Sequence, residues 1–547
     1  MKLVLAALVV AVFAPILANG FTWWDDDVTI HQNPRMNPPT LEGVAWYWGH
    51  AEQAIYIPLT QTVWGILAAV ARRPGGADEA GIALAPWVFH AASLLAHLAT
   101  ALAVFALLRR FTARALTALA GAALFALHPV QVEAVAWASG LKDVLCGLFT
   151  ILALWQYALF AGASDRDPAA PLSKRSFHYG MALLAFLAAC FSKPTGMIVP
   201  VLAAILDLWL IRRPAARVAR SLAPWLVVSA VFAIVARVVQ PGTGLPPVPV
   251  WVRPLIAGDA LSFYLFKLLW PVALAVDYGM RPELRIGWTP WIYLAWLLPL
   301  AIGYVAWRHR RRDPRPWSAA LLFAGALLPV LGFVRFKFQL YSTTADHYLY
   351  PAMLGPALAL AWLLDHRQAQ RRWILAACAI VLAAFGARSF TQAAHWRDDI
   401  ALWQQALRVN PRSFIAEAKL GDLEWKRERV DRAGEHWQAA ARLNPDLYKI
   451  HEALTVYYAR IGRMELAEEE ARKTMQVLQR KTPDQIGGEA WLLVMLGDVW
   501  MGRGQPQRAQ ERYEEARRMD ASLPGIDRKI EQAARAAAER PPDGSRP

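Results

Sequence analysis

The sequence has few charged residues for its length. Asp, Glu, Lys and Arg make up 18% of its 547 residues, whereas 56% are hydrophobic. In a soluble globular domain about a quarter of the residues are charged, and disordered chains have a low hydrophobic content. The composition therefore excludes a disordered or fibrous protein and argues against an ordinary soluble enzyme.

Cysteine is also scarce. The three cysteines are Cys146, Cys190 and Cys378, and each lies inside an apolar stretch. They are far apart in sequence and lack the spacing of metal ligands, and a disulfide scaffold needs a higher cysteine content. We therefore predict plain buried side chains here, with neither a disulfide framework nor a thiolate metal site.

The apolar residues are concentrated in long blocks. A block of about 18 apolar residues is long enough to cross a bilayer as a helix. The pattern predicts an all-α fold that begins with a polytopic membrane helix bundle of about 11 spans. The blocks are residues 1–19, 85–108, 115–127, 143–161, 178–192, 195–211, 221–239, 290–307, 317–334, 348–365 and 373–390.

Two blocks allow more than one interpretation. Residues 1–19 are either a cleaved signal peptide or a first span, and we favour the span. In both cases the chain after Asn19 is expected outside the cytoplasm. The apolar segment 263–276 is short and contains Lys267 and Pro271. We interpret it as an interfacial or re-entrant helix.

The basic residues predict the topology. The net charge is +15, and much of the positive charge lies in short runs between apolar blocks, such as residues 308–312. Basic loops stay in the cytoplasm. We therefore expect five regions on the non-cytoplasmic side: residues 20–84, 128–142, 240–289 and 335–347, and everything after residue 391. Nucleic-acid binding is not expected, because the positive charge is spread over separate loops.

A repeat follows the last apolar block. Asn410-Pro411 recurs as Asn444-Pro445, 34 residues later, and Leu420 recurs as Leu454 at the same interval. A period of 34 residues is that of the tetratricopeptide repeat, a pair of helices that stacks into a soluble α-solenoid. We predict a membrane domain at 1–391, repeats at 392–524 and a flexible tail at 525–547. Residues 395–411 are expected to form part of a first, incomplete repeat.

Three adjacent aspartates lie just after the first apolar block, at Asp25, Asp26 and Asp27. A carboxylate beside a membrane helix is costly unless it is solvated, paired or used. It can act as a general base toward a hydroxyl group, and a second carboxylate nearby can raise its pKa. The alternative is a solvated acidic rim, and composition alone leaves the two interpretations about even.

Other polar residues are expected at outer ends of spans. Arg and Lys on that side run against the usual charge bias, and an anionic lipid-linked phosphate would explain them. Structural ion pairs are the alternative for each residue. The candidates are His128, Glu133, Lys142, Asp143, Arg335, Lys337, Asp346 and His347.

Four motifs occur in an order that resembles a known family. Asp25-Asp26 follow the first span, and a His-Pro-x-x-x-Glu segment begins at His128. Ala345-Asp346-His347-Tyr348 precede a late span, and the repeats come last. In this order the chain resembles a bacterial member of the transmembrane-and-tetratricopeptide-repeat protein O-mannosyltransferase family, which has the C-type glycosyltransferase (GT-C) fold. The resemblance covers nearly the whole chain.

The resemblance implies a glycosyltransferase with a polyprenyl-phosphate sugar as donor. It implies that Asp25 or Asp26 is catalytic, and that residues of the second and late segments bind the donor phosphate or sugar. The late segment usually has Arg where this chain has His347, so the permanent bidentate cation is lost there. Arg335, Lys337 or Lys142 would then carry more of the charge.

The expected partners are the lipid-linked sugar, the bilayer and an acceptor polypeptide bound by the repeats. The expected location is a bacterial inner membrane, with the repeats in the periplasm. No metal is predicted, because three consecutive aspartates cannot all point to one ion, and no cofactor beyond the donor is indicated. Two rival functions remain: a transferase with a lipid or glycan acceptor, and a non-catalytic scaffold that recruits envelope proteins.

Overall fold

The computed structural model describes residues 1–73, 75–77, 81–166, 172–240, 248–288, 290–367, 371–481 and 490–539. Within these ranges the chain is helical, and extended backbone pairs only in three isolated bridges. The contacts divide the chain into two units, Met1–Val409 and Asn410–Pro547.

The first unit contains eighteen α-helices in the described ranges. They are α1 Lys2–Phe13, α2 Leu41–Trp46, α3 Pro58–Ala71, α4 Pro86–Leu108, α5 Ala115–Leu127, α6 Val132–Ala136, α7 Leu141–Arg166, α8 Leu172–Ser192 and α9 Val199–Ile205. They continue with α10 Ala215–Val239, α11 Arg253–Leu269, α12 Pro282–Trp288, α13 Leu297–His309, α14 Arg315–Leu327, α15 Leu349–Ala352, α16 Leu354–His366, α17 Arg371–Ala393 and α18 Asp399–Val409.

Several of these helices are long and apolar enough to cross a bilayer. Six pass by length and composition, and the number rises to eight if each of two bent pairs is one span. The bent pairs are α5 with residues 129–136 and residues 346–352 with α16, each with a bend of 50°. The expected count of about 11 is not confirmed, because helices such as Lys2–Ala18 and Arg315–Val330 are shorter than a full span. The segment expected at 263–276 ends as a helix at Leu269.

Close packing joins the helices beneath the outer segments. A Cβ added at Gly147 of α7 would lie 2.3 Å from the Tyr350 ring of α15. The Tyr350 hydroxyl is 2.8 Å from Nδ1 of His97 on α4. Only a glycine allows this approach, so α4, α7 and α15 are held together directly below the late segment.

The second unit begins with three helix pairs. These are α19 Phe414–Lys426 with α20 Val430–Leu443, α21 Tyr448–Arg460 with α22 Met464–Lys481, and α23 Trp491–Gly502 with α24 Pro506–Met519. Small residues let the paired helices approach, and aromatic rings fill the remaining space. The ring of Trp437 packs against Gly421, and its Nε1 donates a hydrogen bond of 3.0 Å to Asp422.

The C-terminal segment differs from the flexible tail expected at 525–547. Residues Ile526–Ala538 form a further helix, α25, with Ile526 and Ala533 buried in the core of the last pair. These apolar residues recur at helical spacing, so one face of α25 covers the end of the solenoid. The remainder of the expected tail, residues 540–547, lies outside the described residues.

The close approaches in the repeats predict a sensitive position. A Cβ added at Gly434 would lie 2.2–2.6 Å from three atoms of the Tyr457 ring. We expect Gly434→Ala to lower the thermal unfolding midpoint of the repeats, by an overpacking cost of about 1–3 kcal/mol. Gly502→Ala is the matched control, because its Cβ would meet nothing within 4 Å. Proteolytic resistance on heating of the full chain measures both, and equal resistance of the two variants would contradict the packing argument.

Candidate active site

The aspartate segment forms a compact turn after the first helix. Asp27–His31 make one π-helical turn, and Asp25, two residues before it, adopts a left-handed backbone with φ of 73°. The reversal at Asp25 sends the neighbouring carboxylates in different directions. Asp25 is exposed, whereas Asp26 is completely buried.

Asp26 fastens this turn to the segment before α7. Its Oδ2 accepts hydrogen bonds from the Thr22 backbone N–H at 2.9 Å and the Thr22 hydroxyl at 3.1 Å. Its Oδ1 accepts from the Ser139 N–H at 2.8 Å. Close by, the Trp137 indole N–H donates to the Trp24 carbonyl at 2.7 Å. Burial raises the pKa of Asp26 to about 7, although the hydrogen bonds from Ser139 and Thr22 oppose the shift.

The segment that begins at His128 and the late segment around Ala345–Tyr348 meet at Glu133. Its Oε2 accepts from the backbone N–H groups of Asp346 at 2.8 Å and His347 at 3.2 Å. Its Oε1 lies 2.8 Å from Nδ1 of His347. All three side chains are buried. Glu133 therefore holds the late segment in place, and His347 is used as its partner.

Aromatic rings connect the aspartate segment with the outer region 335–347. Trp24 makes edge contacts with Tyr341, at 5.4 Å between ring centroids, and with Trp403 of α18, also at 5.4 Å. Trp137 lies 5.9 Å from His347. Together with the Asp26 and Glu133 contacts, these rings join all three predicted segments into one cluster. Burial and the charges of Asp25 and Asp277 raise the pKa of Tyr341 to about 12.

Two buried lysines supply positive charge. Lys142, in the first turn of α7, places its ammonium 4.0 Å from the centroid of the Trp137 ring. Asp25 is close enough to act on it electrostatically. Lys193 forms a buried ion pair with Asp143. The sequence reasoning missed Lys193, although the predicted topology puts the short turn 193–194, between two spans, on the same side as the aspartates.

Three buried polar atoms of the predicted site residues and of Trp24 have no hydrogen-bond partner among the described residues. They are Oδ2 of Asp143, Nε1 of Trp24 and Nη2 of Arg335. Buried polar groups are nearly always bonded, so unpaired atoms here indicate space for a ligand or ordered water. They include one anionic acceptor and two donors.

Two of the predicted residues lie elsewhere or serve another purpose. Nε2 of His128 is 3.1 Å from the Leu268 carbonyl, and its ring packs against Phe385 at 4.5 Å. Its Nδ1 accepts from the Val130 N–H at 3.3 Å, so both ring nitrogens have hydrogen-bond partners within the protein. Lys337 is exposed on the late segment.

A tyrosine absent from the sequence argument completes the cluster. The hydroxyl of Tyr278 lies 2.8 Å from both carboxylate oxygens of Asp346. It lies in the expected outer region 240–289, where no motif set it apart. Glu133 binds the backbone N–H of Asp346 and Tyr278 binds its carboxylate, so Asp346 is held by contacts within the protein.

A metal site would need several of these side chains to converge on one point. Among the side chains that the structure describes, no group of three or more His, Cys, Asp or Glu residues is arranged to hold an ion. The absence of a metal remains a prediction. The arrangement that stands out chemically is one cluster that holds both an exposed carboxylate, Asp25, and a buried cation, Lys142.

Comparisons with known proteins give one relevant similarity. No family model matches the chain. The chain is 27% identical over 128 residues to the protein O-mannosyl-transferase Tmtc2 of Drosophila melanogaster. The match covers 23% of this chain and spans only 13% of that relative.

A comparison with solved structures pairs the chain with the crystal structure of the APC/C hetero-tetramer Cut9-Hcn1. The identity is 12%, the TM-score is 0.23, and the alignment covers 87% of this chain and 83% of the other. This similarity is too low to relate the two folds.

Proposed function

We propose that the chain is a membrane glycosyltransferase that moves a sugar from a polyprenyl-phosphate donor to Ser or Thr hydroxyls of exported proteins. The observation that carries the proposal is a cluster built from three separate segments that contains both the exposed Asp25 carboxylate and the buried Lys142. The partial similarity to a protein O-mannosyl-transferase supports the reaction class.

Asp25 is the proposed base. It is the aspartate of the pair that an acceptor can reach, whereas the oxygens of Asp26 accept bonds from Thr22 and Ser139. Asp25 takes the hydroxyl proton as the acceptor oxygen attacks the anomeric carbon. The bond from that carbon to the phosphate oxygen breaks, and the configuration inverts. Asp26 positions the turn that carries Asp25.

Lys142 is the proposed partner of the leaving phosphate. It is buried at the start of α7, the end at which the helix dipole favours an anion. Arg335, with its unpaired Nη2, is a second candidate cation. A phosphate needs little protonation to leave, so the reaction requires no carboxylic acid opposite Asp25, in contrast to glycoside hydrolysis.

The repeats are proposed to bind the acceptor polypeptide. Helices α20, α21 and α22 enclose a cavity of about 570 Å³ whose charged lining includes Arg442, Asp446 and Lys473. Both signs of charge are present, which suits a polar peptide segment rather than a purely apolar one. The proposed setting is a bacterial inner membrane with about 11 spans, the GT-C fold, and both the cluster and the repeats on the periplasmic side.

The test uses cells that naturally carry the gene, with exported proteins analysed by intact mass. Deletion should remove hexose-sized additions from particular proteins, and the wild-type gene should restore them. Lys142→Met should restore them at least about tenfold less well, because a buried charge next to the phosphate is lost. Lys174→Met is the matched control, since Lys174 is an exposed lysine at the far end of α8. If deletion changes no mass, the scaffold function is favoured and the transferase proposal fails.

A further inference from the structure

The first unit has a cavity at the end of its helix bundle opposite the candidate active site. It measures about 420 Å³, within the range of small-ligand pockets. It is separated from the candidate active site by the length of α7: Gly162 lines the cavity, and the twenty residues back to Lys142 span about 30 Å. This cavity and the candidate active site are thus about one bilayer thickness apart.

The ends of several helices form this cavity, which we call the arginine cavity. The lining contains both charged residues and apolar residues. The polar residues are Arg110, Arg212, Arg312, Asp313 and Arg315, and the others are Phe111, Ala158, Gly162, Leu210, Ile211 and Pro314.

One of the four arginines is already neutralised. Arg315 forms ion pairs with Asp313 at 2.6 Å and Asp365 at 3.0 Å. Trp362 fixes Asp313 through a hydrogen bond of 3.0 Å. Because two carboxylates share one guanidinium, this network carries a net negative charge and does not attract an anion.

The other three arginines differ in this respect. Within the described part of the chain, no hydrogen bond or ion pair is made by the guanidinium groups of Arg110, Arg212 or Arg312. The local backbone brings two of them to the cavity. Arg212 ends its helix in a left-handed conformation with φ of 68°, and Gly162 leaves room for Arg110, whose Nη2 lies 3.0 Å from where a Cβ would be.

We propose that the arginine cavity binds the phosphate group of an anionic phospholipid headgroup, in the leaflet opposite the candidate active site. Three unpaired guanidinium groups around one cavity match the several acceptor oxygens of a phosphate. Basic pockets between membrane helices favour such headgroups. Leu210 and Ile211 provide apolar surface beside the charges, which favours a lipid over a free phosphate ion. The inference does not depend on the proposed transferase reaction.

Paired variants separate a built site from general surface charge. In the full-length protein, Arg110→Gln with Arg312→Gln removes two cavity charges. Arg109→Gln with Arg311→Gln removes two charges from adjacent positions that do not line the cavity. Native mass spectrometry with added phosphatidylglycerol should show one tightly held lipid on the wild type. Its affinity should fall about tenfold or more in the cavity variant and little in the control.

A third variant and a second probe complete the test. Gly162→Leu fills the cavity without changing any charge, and it should displace the lipid even if the double variant folds poorly. Inorganic phosphate should not displace phosphatidylglycerol at comparable concentration; displacement would identify free phosphate as the ligand and overturn the lipid assignment. Equal losses in the cavity and control double variants, or unchanged binding in all three variants, would overturn the site.

Discussion

Asp25→Asn should reduce sugar transfer by about 100-fold or more while leaving the unfolding midpoint of the protein unchanged. A general base contributes about 10²- to 10⁴-fold to a proton-transfer step. The side chain of Asp25 is exposed, so its removal leaves no buried donor without an acceptor. Asn also tolerates the left-handed backbone at this position better than most residues. The change therefore affects the chemistry of the site without disturbing its shape.

Transfer of radiolabelled sugar to exported proteins in membranes measures the effect. Asp27→Asn is the matched control, since it removes the same charge two residues further along the chain. Asp25→Gly provides an independent check, because glycine relieves a backbone cost of about 1–2 kcal/mol. Asp25→Gly should be as inactive as Asp25→Asn and at least as stable as the wild type. Wild-type transfer by Asp25→Asn would eliminate this residue as the base.

Asp26→Ala should have the opposite signature, with a large loss of stability. The backbone N–H groups of Thr22 and Ser139 would lose their acceptor in a buried environment. Each unsatisfied donor costs about 1–3 kcal/mol, so we expect a loss of about 2–6 kcal/mol in the free energy of unfolding. The turn at 21–31 would come away from the segment before α7, and transfer would fall as a consequence.

Hydrogen–deuterium exchange locates this effect. Peptides covering residues 21–31 and 137–141 should exchange faster in Asp26→Ala, and at the wild-type rate in Asp25→Asn. Asp26→Asn keeps one acceptor oxygen and should fall between Asp26→Ala and the wild type. If exchange in these peptides is the same in all variants, Asp26 does not hold the two segments together.

The same residue makes stability depend on pH. The pKa of Asp26 is about 7 in the folded chain, compared with 3.8 for the ordinary side chain, because burial disfavours the charge. The folded state therefore holds a proton that the unfolded state releases. The stabilising contribution of Asp26 is fully present below pH 4, declines as the pH rises, and is lost above pH 7. Unfolding midpoints measured from pH 4 to 8 should show this decline in the wild type and not in Asp26→Asn.

From the sequence we expected three distant segments on the same side of the membrane, but not which of their side chains would touch. Their polar residues follow apolar blocks in alternation, which put them at the same ends of the helices, and the contacts from Asp26 to Ser139 and from Glu133 to His347 join them. The sequence could not distinguish Asp25 from Asp26. The distinction depends on one left-handed residue, and φ at a single non-glycine position is not visible in a pattern of residue types.

Other parts of the cluster show the same limit. His128 lies in the right segment, but the direction of its ring is set by the carbonyl of Leu268, far away in sequence. The predicted topology put Lys193 on the same side as the aspartates, but its turn is too short to stand out as an outer loop. In the repeats, the 34-residue period predicted paired helices. The helix at Ile526–Ala538 was missed because a short, charged, alanine-rich segment has little apolar signal until its neighbour is in place.

Helix α18 bears on how the protein can be divided for experiments. The period of the repeats assigned it to the soluble part, yet Trp403 contacts Trp24 and the Gln405 amide donates to the Leu274 carbonyl at 3.0 Å. A membrane fragment cut at residue 391 would leave out both side chains and expose the indole of Trp24, next to the two aspartates. A fragment carried through Val409 retains them. The boundary for expressing the two parts separately therefore lies between Val409 and Asn410.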